Sequence, residues 1–246
     1  FKERTSDILF LLCFVAIATI IGFFAIPAFP FEPIADEVQY DQVALGLLNE
    51  HQYKIVDGYL LSPGYPIFLA TIYKIFGHNY VTVYYLQFVI LGLISFTIYQ
   101  ISKKHLQLKN LWSVLAAGSV LFWPYLILYS RLVLTEILYT FFLILSAYFL
   151  LAWTKRPNTK NFILLTFALA ITTLTRPVAI LLPLWILMAV LTILFFKKEI
   201  NSYKNYLYQS LAAIFIFILL LLPWILFSSY KTGKATPVSS TFDGVM

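Results

Sequence analysis

The chain has 246 residues, 61% hydrophobic and only 11% charged, whereas a soluble domain keeps about a quarter of its residues charged. That composition excludes a water-soluble globule, and because the apolar runs are continuous rather than alternating it also excludes a membrane β-barrel. The net charge of +6 is divided among short joints between those runs instead of forming one basic face, so it reads as membrane topology and not as a nucleic-acid surface.

A span needs about 20 mostly apolar residues. Seven stretches qualify in chain order: Ile8–Ile26, Tyr80–Ile101, Leu111–Tyr129, Ile137–Trp153, Phe162–Thr175, Val178–Phe196 and Tyr208–Phe227. No small-residue cleavage pattern follows the first, which reads as a retained span. Its single cysteine, Cys13, has no internal partner for a disulfide. Eleven of the 17 basic residues lie before the first span and after the second, fourth and sixth. The positive-inside rule therefore places the N-terminus in the cytoplasm. The loop after the first span, the Arg131–Glu136 turn, the Arg176 turn and the C-terminal tail then lie on the extracytoplasmic side.

That first loop, over residues 28–79, is the one long polar insert, and its stretch Phe31 to Gly77 holds six of the eleven acidic residues. Asp36 to Asn49 and Pro66 to Phe76 each repeat apolar residues at helical spacing. They suit two amphipathic helices lying in the interface, joined through turn signals at Asp57-Gly58 and Ser62-Pro63-Gly64. The fold class is thus an all-α polytopic membrane protein of about seven transmembrane helices with two interfacial helices in the first outer loop. Both chain ends read as cuts in a longer protein, with further spans and any soluble domain absent.

The charged residues at the loop end allow functional and structural readings side by side. Asp36 or Glu37 could accept a proton from an acceptor hydroxyl or ligate a divalent cation, Mg or Mn, with Glu136 as second carboxylate. Asp36 with Gln39 equally fits a capping box that merely starts a helix. Tyr40 and Asp41 lie one turn on and share faces with Asp36 and Glu37. Arg131 and Glu136 bracket the turn before the fourth span, where Glu136 also suits the positive end of a helix. Arg176, in Thr175-Arg176-Pro177, breaks a run too long for one span. A rim Arg is a phosphate-binding candidate, or else it snorkels to the interface. Lys231 and Lys234 are further phosphate candidates, although solvated loop lysines explain them as simply. Ser62-Pro63-Gly64-Tyr65-Pro66 is a stiff turn suited to presenting Tyr65. No nucleotide-binding loop, CxxC, HExxH or GxSxG motif is present.

Taken in order, Asp36-Glu37…Tyr40, Ser62-Pro63-Gly64-Tyr65-Pro66, Phe76-Gly77, Leu134-Thr135-Glu136, Leu174-Thr175-Arg176-Pro177 and Pro223-Trp224 resemble the N-terminal half of a GT-C superfamily glycosyltransferase. The nearest group is bacterial glycosyltransferase family 39 with its aminoarabinose-transferase-like members, relatives of protein O-mannosyltransferases. Many relatives carry two prolines where this chain has Ser62-Pro63, and an Arg-Asn pair after Pro223-Trp224 where it has Phe227-Ser228-Ser229. The resemblance implies inverting transfer of a sugar from a polyprenyl-phosphate donor, in a bacterial-type cytoplasmic membrane, to a glycan, lipid or protein acceptor outside. Asp36 would be the base, Glu37 and Glu136 its acidic partners, and Arg176 the contact to the donor phosphate. Tyr40, Asp41, Tyr65, Arg131 and Lys231 would line the substrate site. Two other classes compete: a transporter, which should carry charges deep in several spans, and a non-catalytic scaffold of the same fold.

Overall fold

The computed structural model describes residues 2–28, 33–155, 158–197 and 200–240, and is helical nearly throughout. The first span is α1 (Lys2–Ala28). The loop after it folds into α2 (Asp36–Asn49) and α3 (Gly64–Phe76), as the apolar spacing requires. α3 begins two residues earlier than the periodicity indicates because Pro66, in its first turn, needs no N–H there. Between the two helices a tight hairpin closes through a two-way backbone pair of Val56 and Tyr59.

The second span is α4 (Tyr80–Gln100), started by the Asn79 side chain, which accepts the Val81 and Thr82 N–H groups. It ends in one π-helical turn, Ile101–His105. The third run does not form one helix. It divides into α5 (Asn110–Leu121) and α6 (Pro124–Tyr129), because Pro124 offers no N–H to continue the ladder and holds Trp123 extended. The fourth span is α7 (Glu136–Lys155). The long stretch of the fifth and sixth runs breaks where expected, as α8 (Thr159–Thr175), a 3-10 turn (Pro177–Leu181) and α9 (Leu182–Lys197) around an extended Arg176. α10 (Ile200–Thr232) is the last helix among the described residues and runs through Pro223.

Four of these elements are long and apolar enough to cross a membrane: Thr5–Pro27, Tyr80–His105, Glu136–Lys155 and Leu207–Thr232. The others are shorter apolar helices, so length alone assigns four of the seven expected spans. α1 and α4 form the tightest pair. A Cβ at Gly92 would come within 2.7 Å of the Val15 Cα, and this lets the backbones touch, as small residues do between membrane helices. Phe14, Phe88, Leu91 and Tyr99 fill the space around that contact. The opposite side of α1 leaves Leu9, Leu12, Phe23 and Phe24 exposed, a face for lipid. A second cluster, built from Ala44, Tyr65, Leu69, Tyr73 and Val83, bolts α2 and α3 to the start of α4. A third joins α8 to α10 through Leu165, Leu169, Phe217 and Leu221. After α10 the chain turns back: Trp224 Nε1 donates to the Val238 carbonyl and Ser228 Oγ to the Thr236 carbonyl. The polar ends of α2, α3, α7 and α8 are thereby gathered at one end of the bundle.

Candidate functional site at the loop end of the bundle

The acidic pair at the head of α2 is split between two environments. Asp36 is the first residue inside the helix and is exposed, with no side-chain hydrogen bond or ion pair among the described residues. It does not cap the helix, as a capping box would have it. Ala35 holds the cap position with φ 50° and no side chain caps the helix; Glu37 instead accepts N–H groups from outside it. Glu37 is only 3% exposed. Its Oε2 accepts the Ile34 N–H at 3.3 Å and its Oε1 the Val133 N–H at 2.6 Å. Helix α2 is in this way tied to the turn that precedes α7.

One turn further on the same division recurs. Asp41 points inward and accepts from the Tyr73 hydroxyl at 2.6 Å and the Tyr80 hydroxyl at 3.0 Å, with His78 Nε2 at 2.9 Å. The carboxylate expected to meet substrate is instead saturated by α3 and α4, a latch for α2. Tyr40 lies on the Asp36 side. Burial, reinforced by the Asp36 carboxylate, pushes its hydroxyl up to about 12; Arg176 opposes that, Glu136 adds to it and the Thr135 hydroxyl opposes it again. Tyr40 thus shares a hydrogen bond with Thr135, just before α7, and feels the charges of Asp36, Arg176 and Glu136.

Glu136 opens α7, as the helix dipole favours. Its Oε1 accepts from Arg176 Nη1 at 3.0 Å. Its Oε2 is buried and has no hydrogen-bond partner among the described residues. A buried carboxylate oxygen left unpaired is costly, and such an atom is ready for a hydroxyl or cation that the chain itself does not supply. Arg176 also lies over the Tyr139 ring at 5.7 Å, and its side chain remains 41% exposed. Guanidinium carries five donors, and Glu136 takes one, which leaves the others available to an anion.

The Ser62–Pro66 turn acts from behind. Tyr65 is fully buried, donates to Gln87 Oε1 at 3.1 Å and meets the Tyr40 ring edge-on at 5.3 Å. The expectation that this turn presents Tyr65 to a ligand gives way here to a supporting post under Tyr40. Gly64 is required because a Cβ there would lie 2.7 Å from Thr175 Oγ1 and 2.9 Å from the Leu174 carbonyl. The head of α3 thus packs directly on the residues preceding Arg176. Arg131 is 8% exposed, and its Nε is buried.

Two hollows flank the site. An apolar groove of about 440 Å³ starts immediately after Arg176, walled by Pro177, Val178 and Leu181 on one side and Pro237 and Val238 on the other. Lys231 does not line it. Together with Lys234 it lines a separate, polar cleft of about 420 Å³ against the 55–59 hairpin. Among the described residues no three His, Cys, Asp or Glu side chains gather as a metal-binding group.

Two contributors escape the sequence reading. Gln87 receives Tyr65 and donates to the Leu132 carbonyl at 2.7 Å; its signal is a lone amide in an apolar run. Tyr139, one turn after Glu136, carries Arg176 on its ring face.

The family model described as dolichyl-phosphate-mannose-protein mannosyltransferase matches residues 61–226, well over half of the chain. The chain belongs to that family. It is accordingly an integral membrane glycosyltransferase of the GT-C kind. The matched stretch includes the Ser62–Pro66 turn, Glu136 and Arg176, while α2 with Asp36 lies ahead of it. No curated protein and no solved structure gives a significant match.

Proposed function

We propose that the protein moves a sugar from a polyprenyl-phosphate donor to an acceptor hydroxyl on the extracytoplasmic side, with inversion and with Asp36 as general base. The observation that carries this reading is a half-open guanidinium, Arg176, held by Glu136 at 3.0 Å, at the same end of the bundle as an exposed carboxylate, Asp36, with no hydrogen-bond or ion-pair partner among the described residues. The acceptor oxygen attacks the anomeric carbon from the face opposite the phosphate, and Asp36 takes the proton it loses. The bond from the anomeric carbon to the phosphate oxygen breaks, and that oxygen keeps the electron pair. Arg176 faces the charge that grows there, a form of stabilisation acting only as the bond breaks. One displacement inverts the configuration.

The apolar groove beginning at Pro177 supports a lipid-linked donor, since a chain lying in it delivers its phosphate next to Arg176. The family's own description, naming a polyprenyl-phosphate sugar, agrees. A divalent cation would find two protein carboxylates, Asp36 and Glu136, and would need its remaining oxygens from the donor phosphate and water. The basic joints, on the side away from this site, favour an extracytoplasmic active site.

The test is release of free polyprenyl phosphate from polyprenyl-phospho-sugars by the full-length protein in nanodiscs, wild type against Asp36→Asn, with and without chelator. General-base removal is expected to cost roughly 10²–10⁴-fold, with thermal stability unchanged because Asp36 has no partner to lose. Full activity of Asp36→Asn would sink the assignment of the base. Loss of release on chelation would add the metal.

A further inference from the structure

The chain segment after α10 has a different hollow on each side. Pro237, Val238 and Ser239 wall the apolar groove beside Arg176, while Ser240 walls the polar cleft. The segment is fixed. Ser240 donates its N–H to the Leu60 carbonyl at 3.0 Å, and its Oγ accepts the Leu60 N–H at 2.7 Å. Further back, Trp224 and Ser228 hold Val238 and Thr236. It is a partition between an apolar and a polar compartment, stitched to the first loop.

The polar compartment has a definite chemistry. One wall carries Lys231 and Lys234, neither with an ion-pair partner among the described residues. The facing wall is the hairpin, presenting Tyr59 and the Gly58 backbone. Its one carboxylate, Asp57, also lines the cleft but is held toward α2, where Gln39 Nε2 donates to its Oδ2 at 2.9 Å, so the two lysines outnumber it. That bond also fixes the cleft relative to catalysis, because Gln39 stands three residues from Asp36 on the same helix. Two free ammonium groups opposite hydroxyl and backbone groups, in a hollow within the size range of small-ligand sites, select an anion with hydroxyl groups around it.

We propose that this cleft is the acceptor site and that it takes an anionic saccharide, seated by its phosphate or carboxylate on Lys231 and Lys234. The inference rests on the transfer reading for the word acceptor, and on the cleft alone for the anionic saccharide. The lipid donor enters on the apolar side of the partition and the hydrophilic acceptor on the other, so the two substrates do not compete for one entrance.

The test is lysine acylation followed by mass spectrometry on the full-length protein in zwitterionic nanodiscs, using glucose 6-phosphate, glucuronate and uncharged glucose as probes. The two anionic sugars are expected to slow modification of Lys231 and Lys234 several-fold, leaving exposed Lys74 unchanged, while glucose has no effect. Equal protection by glucose, or protection by none of the three, overturns the proposal. So does protection by anionic lipid alone in nanodiscs containing phosphatidylglycerol, which would make a lipid headgroup the occupant. The Asp36→Asn protein is expected to show the same protection, and losing it there would also overturn the proposal. Protection in a protein that releases no polyprenyl phosphate would leave the anionic-saccharide site standing and remove the transfer reading.

Discussion

The two ends of the bundle treat charge in opposite ways. At the end where α1 begins and α4 finishes, Lys103, Lys104 and Lys155 are each satisfied by the chain. Lys104 lies 2.8 Å and Lys103 3.5 Å from Asp7, Lys103 also reaches the Tyr99 hydroxyl, and Lys155 donates to the carbonyls of Lys104 and His105. At the loop end, Asp36 has no partner among the described residues, Glu136 keeps a bare buried oxygen, and Lys231 and Lys234 face a cleft. The first arrangement ties its lysines to the chain itself, although Asp7 Oδ1 and both His105 ring nitrogens there also lack a hydrogen-bond partner among the described residues; the second leaves its cations and one carboxylate facing solvent or a cleft. Cations tied down at one end leave those at the other free to meet a substrate.

The largest contrast is expected in turnover. Arg176→Ala should lower polyprenyl phosphate release roughly 10²–10³-fold, the usual cost of a lost electrostatic contact to developing charge. Arg176→Lys should recover only part, because an ammonium cannot hold Glu136 and a phosphate in the same fork. Asp7→Asn should leave release unchanged while lowering thermal stability. Equal turnover losses from the two ends would break the comparison.

The next contrast lies within one dipeptide. Glu37→Ala strands the Val133 N–H and should cost about 1–3 kcal/mol of stability, seen as a lower melting temperature in detergent. Asp36→Asn should cost nothing measurable there. Gly64→Ala sharpens the same point, since forcing a Cβ against Thr175 should cost about 1–3 kcal/mol and displace Arg176. Gly118, where an added Cβ would meet nothing within 4 Å, should accept alanine without effect on either measurement.

How much of this can be read from the residues depends on what kind of signal each carries. Four of the seven expected spans, the two loop helices and the break at Arg176 are legible because hydropathy and proline act locally. The division of the third run at Trp123-Pro124 is legible as a kink but not as a helix end. Which of Asp36 and Glu37 is open is not legible. Helical spacing puts Asp36 with Tyr40 and Glu37 with Asp41, but which pair turns inward is decided by Val133, 96 residues away. The supporting role of Tyr65 is hidden for the same reason, as its partner Gln87 belongs to another helix. Charge alone groups Lys231 with Arg176, and only the returning segment of residues 236–240 separates them.

The smallest effect concerns proton binding by the loop tyrosines. Burial raises the Tyr40 hydroxyl to about 12 and pushes those of Tyr53 and Tyr65 well above the ordinary value near 10. In the unfolded chain these groups give up their protons near pH 10. Between about 10 and 12 the folded protein therefore holds more protons than the unfolded one, and its stability must fall as the pH rises. Below the ordinary value both states are protonated, so the contribution is complete and the profile is flat. Melting temperatures measured from about pH 8 to about pH 11.5 should stay level and then decline, and Tyr40→Phe should make the decline shallower. A decline of the same steepness in Tyr40→Phe and wild type would mean that Tyr40 lies in a wetter site than its packing against Tyr65 implies, with its hydroxyl near the ordinary value in both states.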